Sequence, residues 1–548
     1  MKQQSILQIE KQDDLIVALR PLNKGETFTI DGTKVVLQQD IPTKHKFAAC
    51  SFAIGDRATM YGITVGEITR PITRGELITT ENLRHATSDT IANSRRQDWH
   101  PPPAPASQTE GFMGYARSNG TAGTANHWIF VPLVFCSNQE LLIIKDVLPR
   151  VLGITRPSRY GSFTEDLVRQ LQSGADLSET ISIQAHTISP PTPIFSNIDG
   201  IKFLTHSLGC GGTRADARSL CGLLADYITH PNVAGATVVS LGCQNAEVSL
   251  LKEEIDRRTG MLDKPLFFFD RQTWDGPGDM TEAMIRQTLI GLQEADKTSR
   301  SMVPLNRLVV GVECGGSDGF SGISANPVIG RTVDHFVGAG ASAILAEFPE
   351  LCGVESELVG RCTSQESANR FLALMKEYRR QAQMFGTDFD MNPSPGNIRD
   401  GLITDAMKSA GAAKKGGTAP IVDVLDYPEQ VSRPGLNLLC TPGGDVESTT
   451  ALVGAGANLI LFSTGLGTPT GNPIAPVLKI SSNSVIAKQL EQMIDFDCGP
   501  VITGSGSISD LGEQLFELCL QTAAGHYQAK AVRLGQDDFI PWKRQVSL

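Results

Sequence analysis

Three stretches set a cysteine among glycines just after an apolar, β-branched run: Gly209-Cys210-Gly211-Gly212, Gly242-Cys243-Gln244-Asn245 and Glu313-Cys314-Gly315-Gly316-Ser317-Asp318-Gly319. Thiolates are soft metal ligands and nucleophiles, and glycine lets a backbone approach a ligand closely at the end of a strand. His206 precedes Cys210 by four residues, which offers imidazole and thiol within one turn, a donor pair suited to a divalent transition metal. The competing reading is structural, since a free cysteine in a tight turn often serves only as a small apolar residue. Recurrence at three strand ends favours chemistry for the group.

Such loops need strands to hold them, and the chain supplies these in two styles. Residues 1–97 read as short strands cut by Gly and Asp turns (LIVALRPL, TFTI, TKVVLQQDI, RATMYGITVGEIT), a small all-β domain. Residues 98–110 contain Trp99-His100-Pro101-Pro102-Pro103-Ala104-Pro105, whose prolines favour an extended connector. Beyond it, continuous apolar runs (HWIFVPLVFC, ATVVSLGC, RLVVGVECGG, NLILFSTGLG) alternate with amphipathic helical stretches. That alternation predicts an α/β fold with largely parallel sheets, divided into regions 111–295 and 296–548.

Composition excludes several classes. With 41% hydrophobic and 20% charged residues, the 548-residue chain is globular and large enough for more than one core. Its 48 basic and 59 acidic residues leave a net charge of -11, a poor match for nucleic acid. No run approaches the ~18 uncharged apolar residues of a membrane span. The charged N-terminus lacks a signal-peptide core, so a cytoplasmic location is expected. Eleven cysteines without a C-x-x-C pair predict reduced thiols rather than a disulfide framework. The loop Gly465-Leu466-Gly467-Thr468-Pro469-Thr470-Gly471 lacks the dinucleotide-binding spacing.

The stretches GYARSNGTAGTANHWIFVPLVFCSN, THSLGCGGTRADA, HPNVAGATVVSLGCQN, ECGGSDGFSGISANPVIGRTVDHFVGAGASAILAEFPELCGVE and NPSPGNIRDGLIT closely resemble the altronate/galactarate dehydratase family of sugar-acid hydro-lyases. The resemblance spans nearly the whole chain and implies a SAF-like β domain followed by two catalytic α/β regions. Two departures stand out. Where many members carry R-x-D-G-R-x-G-x-R-N, this chain has Arg117-Ser118-Asn119-Gly120-Thr121-Ala122-Gly123-Thr124-Ala125-Asn126. Where many carry H-x-H-N, it has Thr79-Thr80-Glu81-Asn82, with His85 three residues on. The linker and the G-T-A-N variant look similar to an altronate-acting subgroup; galactarate or sulfolactate chemistry, or sugar-acid binding without turnover, are the alternatives.

The resemblance implies removal of water from a 2,3-dihydroxy acid, which needs a base, an acid and stabilisation of the enediolate. It implies Fe²⁺ or Mn²⁺ as Lewis acid, held by some of His45, His85, Cys210, Cys243 and Cys314. A three-cysteine iron–sulfur cluster ranks behind this, because the usual cysteine spacing is missing. His206, Glu313 and Asp318 are the expected acid/base groups. Arg117, Asn126, Arg214 and Ser317 are expected to hold substrate, an arginine clamping the carboxylate. The expected partner is a small sugar acid, with neither nucleic acid nor membrane, and a homo-oligomer is compatible with the sequence.

Overall fold

The structure is a computed structural model that describes residues 4–87, 98–106, 110–154, 159–174, 176–178, 192–260, 262–276 and 278–547. The N-terminal part is built from small antiparallel sheets, and local turn chemistry explains two of its hairpins. Strands Thr27–Ile30 and Thr33–Val36 are joined by Asp31-Gly32, with φ of 47° and 76°. Strands Arg57–Met60 and Ile63–Ile68 are joined by Tyr61-Gly62, with φ of 56° and 75°. Two consecutive positive φ values are what a two-residue hairpin of right-handed twist requires. The inward faces bury Leu15, Val17, Val35, Phe47 and Val65.

The proline-rich connector is docked. Trp99 packs against the main core and its Nε1 donates to Thr418 Oγ1 at 3.1 Å. Residues 107–109, where the expected connector continues, lie outside the described residues. Strand Gly111–Ala116 then pairs antiparallel with Ser301–Pro304, so the chain enters and leaves the next region side by side.

That region holds a four-stranded parallel sheet of β1 (His127–Pro132), β2 (Gly200–Phe203), β3 (Val233–Ser240) and β4 (Leu266–Asp270), in the order β2-β1-β3-β4. Every residue of β1 and β3 is buried, which is why both read as unbroken apolar runs. Helix α1 (Arg214–Thr229) covers it, started by Thr213, whose side chain accepts from Asp216 N.

The second α/β region holds seven parallel strands: β5 (Val309–Cys314), β6 (Ser342–Leu345), β7 (Ile421–Leu425), β8 (Leu436–Leu439), β9 (Leu459–Thr464), β10 (Val477–Ser481) and β11 (Phe496–Asp497). Their order is β7-β8-β6-β5-β9-β10-β11, so the chain builds one side of the sheet from β6, β7 and β8 and then crosses β5 to build the other from β9, β10 and β11. Ligands of such sheets bind beyond the carboxyl ends of the strands where the order reverses, here β5 and β9. Helices α2 (Ala325–Gly338), α3 (Asp405–Ala413) and α4 (Asp445–Gly454) pack around this end. Among the described residues no helix is long and apolar enough to cross a membrane.

Candidate functional site

Strand β5 delivers Glu313 and Cys314, its last two residues, to the point where the strand order reverses; both are buried. The turn after β6 delivers Glu347 and Glu350 from Ala-Glu-Phe-Pro-Glu, with Glu347 in the left-handed region at φ 64°. A non-glycine residue held there costs of order 1–3 kcal/mol, and such strain gathers at functional sites. Helix α3 adds Lys408, half-buried, and the turn after it adds Lys415, fully buried.

These side chains form one bonded group. Lys415 Nζ donates to Cys314 Sγ at 2.8 Å and to Glu347 Oε2 at 2.5 Å. The Cys314 thiol donates to Glu350 Oε2 at 3.2 Å, and Cys314 N donates to Glu347 Oε2 at 3.2 Å. Lys408 Nζ donates to Glu350 Oε1 at 2.5 Å and to Asn392 Oδ1 at 2.9 Å. Ser448 Oγ, on α4, donates to Glu313 Oε2 at 2.6 Å. Asp445 opens the same helix, and a Cβ on Gly315 would fall 2.1 Å from its Oδ2; only glycine leaves that carboxylate its place.

Burial and mutual charge sort the protons. Burial, then the neighbouring Glu347, pushes Glu313 well above the ordinary carboxylate range. Burial, then Glu350, also raises Glu347. Two carboxylates facing each other can bond only through a proton, so the pair shares one. Burial opposes ionisation of Glu350, but Lys408 and Lys415 outweigh it and keep its carboxyl below the usual value. Burial likewise opposes the charge on Lys415, and Cys314, Glu347, Glu350 and Glu313 overcome it. Burial raises the Cys314 thiol, so it stays protonated. Asp445 is lifted to about 6 by burial, then by Glu347 and Glu350, which poises it near neutrality.

Beside this group lies a second one, in which donor atoms of His85, Cys352 and Asp405 all lie within 4.8 Å of one another. Cys352 follows Glu350 by two residues and Asp405 precedes Lys408 by three, so the two groups share their supporting segments.

Glu313 and Cys314 both belong to this group, and Ser317 and Asp318 follow on the same loop. Asp318 is a bolt instead of a free acid. Its Oδ1 accepts from Phe320 N, Ser321 N, Ser321 Oγ and Ser482 Oγ, and its Oδ2 from Asn483 Nδ2 and Lys44 Nζ, the last at 2.9 Å. The carbonyl of Ser317 accepts from Asn397 Nδ2 at 2.7 Å.

The remaining expected residues fall elsewhere. His206 belongs to the first α/β region, where its Nε2 donates to Pro132 O at 2.8 Å and its Nδ1 accepts from Leu208 N at 3.1 Å. With both nitrogens used and burial depressing its pKa to about 4, it is a neutral structural histidine. Cys210 and Cys243 stand exposed in that same region, apart from buried Cys314, so the expected three-cysteine set does not assemble. Arg117 donates to Pro231 O and to Asn126 Oδ1, each at 2.8 Å, which ties both residues into the region's frame. Arg214 is exposed at the start of α1. His45 has its Nδ1 on Thr43 O at 3.2 Å and belongs to neither donor group; His85 joins Cys352 and Asp405 instead of Cys314.

Sequence reasoning passed over Glu347, Glu350, Lys408, Lys415 and Asp445. A signal existed in Ser-Ala-Ile-Leu-Ala-Glu, an acid straight after a buried strand; for the lysines there was none.

The fold and group define an α/β protein with a buried, proton-sharing acid–lysine cluster at a sheet's carboxyl edge. Residues 4–86 match the altronate/galactarate dehydratase SAF domain, 114–296 the D-galactarate dehydratase/altronate hydrolase second domain, and 305–547 the D-galactarate/altronate dehydratase C-terminal domain. The chain is 32% identical over 95% of its length to altronate dehydratase of Escherichia coli (strain K12), covering 95% of that protein. It is 31% identical over 90% to altronate dehydratase of Bacillus subtilis (strain 168), covering 90% of it. To galactarate dehydratase (L-threo-forming) of Escherichia coli (strain K12) it is 27% identical over 93%, covering 91%. The chain belongs to the altronate/galactarate dehydratase family of hydro-lyases.

Proposed function

We propose that this protein is an altronate dehydratase, converting D-altronate to 2-dehydro-3-deoxy-D-gluconate and water. The observation that carries the reading is the bridge of Lys415 between Cys314 and Glu347, beneath a glutamate pair that holds a proton in reserve. Altronate is preferred because the relatives matched at the higher identities bear that activity in their names.

The reaction breaks a C2–H bond and a C3–O bond. Asp445, poised near pH 6, takes the C2 proton. The ammoniums of Lys408 and Lys415 counter the negative charge that develops on the enediolate, an electrostatic contribution that mutagenesis elsewhere values at roughly 10²–10³ per donor. The proton shared by Glu313 and Glu347 goes to the departing hydroxyl, which leaves as water; the enol then loses its O2 proton and takes one at C3 to become the 2-keto acid, and the proton held by Asp445 returns to the glutamate pair.

His85, Cys352 and Asp405 suit a divalent ion such as Fe²⁺ or Mn²⁺: they offer one nitrogen, one sulfur and one oxygen, and Asp405 Oδ2 is buried without a hydrogen-bond partner. Cys314, Glu347 and Glu350 suit one less well, because two ammoniums already occupy their lone pairs. A bound ion would act as a Lewis acid toward an oxygen of the substrate.

Altronate, galactarate and sulfolactate should be offered separately to anaerobically purified protein with Fe²⁺ or Mn²⁺ and reductant. Keto-acid formation fastest from altronate supports the proposal. Turnover of galactarate or release of sulfite from sulfolactate would move it within the family, and no product from any sugar acid would end the catalytic reading.

A further inference from the structure

Three of the chain's cysteines are exposed, Cys136, Cys210 and Cys243, and all three lie at one end of one sheet. Cys136 follows β1, Cys210 follows β2 and Cys243 follows β3, the three adjacent strands of the order β2-β1-β3-β4. The loops that carry them are stitched together. Phe135 N donates to Leu208 O at 3.0 Å, which joins the Cys136 loop to the Cys210 loop. Asn245 N donates to Gly209 O at 3.1 Å and Asn245 Nδ2 to Cys210 O at 3.0 Å, which joins the Cys210 loop to the Cys243 loop. The three thiol-bearing loops are therefore stitched into one triangle at the end of the sheet, the loop after β2 bonded to both others.

Glycine makes the closure possible. Gly209 has φ 98°, and a Cβ there would fall 2.0 Å from Leu133 O. Gly242, before Cys243, has φ 100°. Beyond Cys210 a Cβ on Gly212 would meet nothing within 4 Å, so the triangle opens to solvent on that side. Lys543 lines the crevice beside Cys210, a cation suited to an anionic occupant.

Strands in a sheet stand about 4.8 Å apart. Thiols on three separate strand-end loops are therefore set wider than the shell of a single ion and match an object several atoms across. We propose that Cys136, Cys210 and Cys243 bind a cuboidal iron–sulfur cluster through three thiolates. Each thiol releases its proton to solvent on ligation, and four sulfides with two ferrous and two ferric ions make up the core, so no further oxidant is required when both iron states are supplied. The iron without a protein thiolate is left to an oxygen donor, a water or a carboxylate. This site and the acid–lysine cluster are built on different sheets and share no residue, and its test does not rely on turnover.

The full-length protein would be incubated anaerobically with equal amounts of ferrous and ferric iron and with sulfide, then desalted. The expected product holds about four iron and four sulfide per chain, with broad visible absorption. Cys136→Ser, Cys210→Ser and Cys243→Ser should each lose at least ~10-fold in cluster retention, the lower end of what a disturbed metal shell costs. Cys50→Ser should keep it. In a second measurement, on unaltered protein, an alkylating reagent should label the three thiols before reconstitution and spare them after it. Uptake of metal without sulfide, equal retention by all four variants, or unchanged alkylation after reconstitution would each overturn the proposal.

Discussion

The ammonium of Lys415 sits 2.8 Å from the sulfur of Cys314 and 2.5 Å from a carboxylate oxygen of Glu347, so one buried cation is bound to a strand end and to the turn after the next strand. Removing it tests the site directly. Lys415→Met should lower kcat for keto-acid formation by at least ~10²-fold, the cost of losing one charge-stabilising donor. It should also destabilise the fold by about 3 kcal/mol, because the surrounding acids lose their counter-ion. A urea midpoint separates the two effects, and a well-folded variant with full turnover would remove Lys415 from the mechanism.

Asp445 sets a pH dependence. As the base it must be ionised, and burial has lifted its pKa to about 6. The expected kcat/KM therefore rises as pH climbs through about 6 and levels off above it. Asp445→Asn should lower the rate by ~10²-fold or more and abolish that rising limb. Gly315→Ala, which pushes a methyl onto the carboxylate, should depress turnover as well. A rising limb that persists in the asparagine variant would assign the base elsewhere.

His206 sets a different one, in stability. Its folded-state pKa of about 4 lies below the ordinary value of 6.5, so between those values the unfolded chain binds the extra proton. Stability is complete above pH 6.5 and falls as pH drops toward 4, by about 3 kcal/mol for this group. Denaturant midpoints at pH 7.5 and 5 should differ, and His206→Gln should narrow the difference. Turnover at pH 7.5 in a folded variant should change little.

Lys44 joins the N-terminal β domain to Asp318 of the last region. Lys44→Ala should cost about 2 kcal/mol, the worth of a charged hydrogen bond. It should also speed proteolytic cutting of the connector around Pro101 to Ala106. Trp99→Ala, which removes the connector's bond to Thr418, should have the same effect on cutting without touching Asp318. Unchanged cutting in both would mean that the connector is protected by other contacts.

What could be read in advance follows from how local each signal is. Asp31-Gly32 turns a hairpin by its own backbone preferences, and β3 or β9 declares itself through an unbroken apolar run, so fold class was legible. Glu313 and Cys314 were legible because a strand's last residues point to one known end of the sheet. Lys408 and Lys415 were not, since Lys-Ser-Ala-Gly-Ala-Ala-Lys-Lys looks like a solvated helix face until packing with Glu347 and Glu350 buries it. His206 misled for the converse reason: its neighbour in sequence, Cys210, is not its partner in space.

The acid–lysine cluster also settles a matter of electroneutrality. The Glu313–Glu347 pair with its single proton counts as one negative charge, Glu350 as another, Cys314 as none, and the two lysines cancel both. In a protein of net charge -11 this cluster therefore adds no charge of its own, and Asp445, ionised as the base, adds one negative charge beside it. A sugar acid's carboxylate would approach a neutral cluster and one aspartate, whereas losing either lysine would leave a second negative charge uncancelled.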